Sequence, residues 1–175
     1  MRSSTVAASA CMVLISAAPA AAGCDGWLTA GFWRDAGAAQ VTACLDAAAE
    51  VTARTDAGKT PLHLAAAHAS RASALRTLIR AGAPLDVIDS DGREPVHAAA
   101  ADNPDPSVML NLILAGADPE TRIGQDTCRI GHCATAPLHL AAARGEAVEV
   151  AAALLVAGAL TKRLDSEQRT PLHIA

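Results

Sequence analysis

Histidine and cysteine are the residue types in this chain whose spacing could do chemistry. Six histidines are present, His63, His68, His97, His132, His139 and His173, and imidazole can ligate metals or move protons. Five cysteines, Cys11, Cys24, Cys44, Cys128 and Cys133, could act as ligands, nucleophiles or disulfide partners. The densest cluster is Cys128-Arg129-Ile130-Gly131-His132-Cys133. Two thiolates and an imidazole begin a zinc site, but no second ligand pair completes the tetrahedron. A Cys–His nucleophile and base would need an orienting third group and an oxyanion hole. The neighbours His132 and Cys133 would normally point different ways, and no such groups are evident. There is no Gly-rich phosphate loop, no Gly-x-Ser-x-Gly elbow and no His-Glu-x-x-His pattern. The reading is therefore non-enzymatic, with no catalytic residue, no metal and no cofactor.

The histidines have a different logic. Thr60-Pro61-Leu62-His63-Leu64-Ala65 recurs as Glu94-Pro95-Val96-His97-Ala98-Ala99, as Ala136-Pro137-Leu138-His139-Leu140-Ala141, and as Thr170-Pro171-Leu172-His173-Ile174-Ala175. An Ala-Gly-Ala marker centred on Gly82, Gly116 and Gly158 follows each of the first three starts by 22 residues. The unit is thus 34 residues long, with eight extra residues confined to the connector before Ala136. Histidines repeated once per stacked unit would stand about 10 Å apart. That is too far to share a zinc ion with ligands near 2 Å.

Each unit reads as two helices. Thr60 and Thr170 are N-caps, and proline in the next position suits a first helical turn. The alanines that follow give an inner helix with a shallow surface that lets units approach closely. In the outer helices three columns are predicted to be buried: Leu75, Leu78 and Ile79; Met109, Leu112 and Ile113; Ala151, Leu154 and Leu155. The marker glycines are predicted to close each outer helix in the left-handed conformation. Glu94 and Ala136 replace the capping threonine and Gln168 a hairpin glycine, changes expected to weaken local geometry without moving the spacing. Val41, Cys44 and Leu45 repeat the columns in a divergent first unit, where Ala48 stands for the glycine. Trp27, Phe32 and Trp33 are expected to seal that open end.

This pattern resembles the ankyrin repeat over roughly residues 25–175. The resemblance implies an all-α solenoid of stacked helix–turn–helix units with short β-hairpin or loop connections. It also implies that the repeated histidine makes structural hydrogen bonds between units. The organisation read from the chain is a signal peptide at 1–22, a capping repeat at 23–59, and repeats at 60–93, 94–135 and 136–169. The start of a further repeat follows at 170–175, leaving the end of the stack either continued by a longer chain or closed by a partner.

Met1 to Ala22 carries Arg2, an apolar stretch from Val6 to Ala18, and small residues before Gly23, which together read as a secretory signal. Removing it takes Cys11 and leaves an even set, most simply two disulfides, Cys24–Cys44 and Cys128–Cys133. An alternative is lipidation at Cys24, although Ala21 fits such a site poorly. The expected location is the periplasm or outside the cell. A net charge of −4 offers no basic footprint for nucleic acid. The expected partner is a protein, held by the concave inner-helix face and by tip residues Arg54, Asp56, Asp89, Asp91, Arg93, Asp165, Glu167 and Arg169, with Arg129 and His132 of the insertion. The alternative is an envelope-associated structural or protective scaffold.

Overall fold

The structure is a computed structural model and describes residues 23–124, 134–145 and 147–175. Among the described residues it is built of nine helices and no strand. The first unit holds α1 (Ala30–Asp35) and α2 (Ala38–Asp46), the second α3 (Pro61–His68) and α4 (Ala72–Arg80). The third holds α5 (Pro95–Asp102) and α6 (Pro106–Leu114), the fourth α7 (Pro137–Ala143) and α8 (Val148–Val156), and α9 (Pro171–Ile174) follows. Odd-numbered helices stack on one another as an inner layer, and even-numbered helices stack behind them. Among the described residues the connectors form turns and no strand pair.

The alanine run explains the inner layer. Ala65, Ala66, Ala99, Ala100 and Ala141 are buried where α3, α5 and α7 meet, and nothing larger would let those helices approach. Asn103, buried after α5, donates from Nδ2 to the carbonyls of Ala66 and Ala69, both at 3.0 Å. It thereby satisfies carbonyls at the end of α3 that the helix leaves without partners.

The outer helices bury a face rotated by one position from the expected one. Leu75, Leu78, Met109, Leu112 and Leu154 are fully buried as predicted, but Ile79, Ile113 and Ala151 are only half-buried and Leu155 is 45% exposed. Ala74, Val108 and Val150, one residue earlier, are fully buried instead. The centre of the apolar stripe lies between the columns at i and i+4, and the small Ala74 lets α4 roll inward.

The three marker glycines have φ of 85°, 106° and 96°, and Ala48 reaches 67° in the same place without glycine's freedom. In the first unit Thr29 caps α1, its hydroxyl accepting from the Phe32 amide. Trp27, Phe32 and Trp33 form one cluster with ring centroids 4.9–5.6 Å apart. Indole nitrogens rarely stay unpaired when buried. Here Trp33 Nε1 donates to Trp27 O at 2.9 Å and Trp27 Nε1 to Glu50 O at 3.0 Å. A Cys24–Cys44 disulfide ties the N-terminal segment to α2 beneath this cluster.

Candidate protein-binding surface

The repeated histidine sets the geometry of each unit's start. His63 Nδ1 accepts from the Thr60 backbone amide at 3.1 Å, and the same bond recurs at Glu94–His97 (3.1 Å), Ala136–His139 (3.3 Å) and Thr170–His173 (3.1 Å). An Nδ1 that accepts assigns the proton to Nε2. Nε2 then donates across to the next unit: His63 to Arg93 O at 2.9 Å, and His139 to Arg163 O and Arg169 O at 3.1 and 3.2 Å. His97 faces the corresponding carbonyls of Thr121 and Thr135 at longer range. His63 and His139 are thus struts between two backbones.

This explains why losing the capping threonine changes nothing visible. The residues before α3, α5, α7 and α9 have φ/ψ of −85/166, −84/165, −86/161 and −85/164°, whether they are Thr60, Glu94, Ala136 or Thr170. The expected weakening of geometry at Glu94 and Ala136 is absent because the imidazole, present in all four units, fixes the turn. The Glu94 carboxylate is left free to accept from the Thr121 hydroxyl at 2.7 Å, and burial holds its pKa above the ordinary value. Burial also drives the His97 pKa down to about 4 and lowers that of His63.

The tips divide into exposed residues and residues that hold the turn. Asp89 Oδ1 accepts from the amides of Asp91 and Arg93 at 2.9 and 3.0 Å, and the side chain is buried. Asp165 does the same with Glu167 and Arg169, both at 2.9 Å, and is also buried. Both were expected at the solvent surface; an aspartate that satisfies two amides of its own turn is drawn inward instead. Burial alone would raise the Asp165 pKa, but the bonds from Arg169 and Glu167 outweigh it and hold the carboxyl below its ordinary value. Asp56 and Glu167 are exposed, Arg54 is exposed, and Asp91, Arg93 and Arg169 are half-buried. Arg169 pairs with both Asp165 and Glu167 at 3.0 Å. Arg129, His132, Cys128, Cys133 and residues 1–22, where a signal peptide is expected, lie outside the described residues.

Two features were missed from sequence. The left-handed tip position is held by Gly58 and Gly92 (φ 71° and 75°), by Gln168 (60°) as its alignment suggested, and also by Ala134 (57°). The eight-residue insertion hides Ala134, but it lies two residues before Ala136 as Gly58 lies before Thr60. The second is Arg122. Arg54, Ile88, Arg122 and Leu164 occupy one register position. Arg54 donates from Nη1 to Ile88 O at 3.1 Å, and Arg122 from Nη2 to Leu164 O at 3.2 Å. Both arginines therefore brace neighbouring tips; only Arg54 had been singled out.

Residues 57–90, from one tip through α3 and α4 to the next, match the family profile of the ankyrin repeat. This segment is an ankyrin repeat. Comparison with curated proteins gave no match. The ankyrin repeat is a non-enzymatic interaction domain, and its presence suggests a protein–protein interaction module. Among the described residues no three His, Cys, Asp or Glu side chains group as a metal site, and no helix is long and apolar enough to cross a membrane.

Proposed function

We propose that this chain is a non-enzymatic module that binds one partner protein in the periplasm or outside the cell, through the tips and the adjoining inner-helix face. The observation that carries the reading is the bracing of successive tips: Arg54 to Ile88 O, and Arg122 to Leu164 O, each spanning from one unit to the next. Tips fixed relative to one another lose little conformational entropy on binding, the condition for a recognition surface. The Cys24–Cys44 disulfide supports an oxidising compartment. It also argues against the lipid-anchored form of the scaffold reading, since acylation would use the Cys24 sulfur. The insertion before Ala136 gives this array its distinguishing contact.

Affinity capture of the exported protein from its native envelope after mild crosslinking tests the proposal, with deletion of residues 124–131 as control. A partner recovered by the intact chain and lost on deletion, with helical content unchanged, supports the module and its specificity loop. Recovery of abundant envelope proteins alone favours the scaffold role.

A further inference from the structure

Between the base of the insertion and the following tip lies an open groove of about 640 Å³, walled by Arg122, Ala134, Leu160, Lys162, Leu164 and Gln168. Its charges are unevenly matched. Arg163 pairs with Glu120 at 3.1 Å, and Asp165 and Glu167 are both taken by Arg169 at 3.0 Å. Glu120 also accepts from the Leu160 amide at 2.9 Å. No carboxylate pairs with Arg122 or Lys162 among the described residues.

Arg122 is also held in place. Its Nε donates to Ala134 O at 3.0 Å and its Nη2 to Leu164 O at 3.2 Å, so two neutral carbonyls position the guanidinium, and among the described residues no carboxylate balances its charge. A guanidinium already fixed loses less entropy when it meets a carboxylate than a free one does. Lys162 is exposed and makes no hydrogen bond or ion pair among the described residues. Leu160 and Leu164 are 54% and 41% exposed on the same wall. In a chain of net charge −4 this is a local reversal of sign.

We propose that this groove takes an acidic segment of the partner protein, with a carboxylate on Arg122 and Lys162 and an aliphatic side chain against Leu160 and Leu164. The inference rests on the protein-binding reading and names the partner's chemistry.

The test is fluorescence anisotropy on the full exported chain, with the Cys24–Cys44 disulfide intact, and a labelled peptide of alternating glutamate and leucine. A lysine–leucine peptide is the control. The expected result is saturable binding of the acidic peptide alone, weakening as salt rises to about 0.5 M. Arg122→Gln and Lys162→Gln should each weaken it roughly tenfold. Lys162→Gln is the cleaner variant, because that side chain supports nothing in the fold, and Arg122→Lys should restore part of the binding. Equal binding of both peptides, or wild-type affinity in Lys162→Gln and Arg122→Gln, overturns the proposal. If the acidic peptide fails to bind while crosslinking still recovers a partner, the acidic groove falls and the protein-binding reading stands. If both fail, the reading falls with it.

Discussion

The first unit and the three that follow hold an inner helix in the same layer by different chemistry. In α3, α5 and α7 an imidazole fixes the start of its own helix, and in α3 and α7 it also joins that start to carbonyls ahead. In α1 the corresponding position is Phe32, and the work passes to three packed rings and a disulfide. A repeat with neighbours on both sides can use directional bonds to each neighbour. A terminal unit has one neighbour, and it compensates with bulk and covalent closure. The polar solution should respond to pH and the apolar one to truncation or reduction.

The largest break should come from Trp33, which is fully buried. Trp33→Ala is expected to cost about 3–5 kcal/mol by cavity formation. Denaturant unfolding measures it; a loss under ~1 kcal/mol would show that the ring cluster does not stabilise the cap.

Acid should strike the histidine units next. His97 titrates near the ordinary 6.5 when unfolded and at about 4 when folded, because burial opposes its charge. The folded form therefore binds the proton less readily. Stability is complete above pH 6.5 and falls as pH drops through the window down to about 4, where the loss levels off for this group. The loss attributable to His97 is of order 3 kcal/mol, and His63 adds in the same direction. Unfolding free energies at several pH values test this; a flat profile between pH 6.5 and 4 would contradict it.

Removal of the disulfide should rank close behind. Cys24→Ala opens a link between residues 20 apart and is expected to cost roughly 3 kcal/mol. Reductant should destabilise the wild-type cap by a similar amount and leave the cap of the variant unchanged, which separates the covalent link from the packing of Cys44.

The smallest effect has the opposite sign. Ala48→Gly relieves a left-handed alanine and should stabilise the cap by about 1 kcal/mol, while Gly82→Ala should cost a similar amount. A shared change in sign at the two sites would mean that contacts, not backbone conformation, decide them.

The stack was legible because its signal is spacing. Pro61, Pro95, Pro137 and Pro171 announce helix starts, and Gly82, Gly116 and Gly158 announce ends whatever lies between. The site was legible only in part. Sequence assigns Asp89 and Asp165 to tips but does not tell a solvated carboxylate from one folded back onto its own turn. The identity of a capping residue also misled, since Glu94 and Ala136 are positioned by His97 and His139 rather than by their own side chains. Arg122 and Ala134 flank the insertion, which breaks the period at the point where comparison with Arg54 and Gly58 would have revealed them.

That insertion leaves and rejoins the stack through a narrow neck, Ile123 N–H to Thr135 O at 3.1 Å and Ala134 N–H to Ile123 O at 2.9 Å. Beyond it, α7 still packs on α5 in the inner layer. The neck therefore acts as a socket. Segments of different length and composition can be exchanged between Gly124 and Ala134 without re-registering any helix, so recognition can diversify here while the scaffold stays constant.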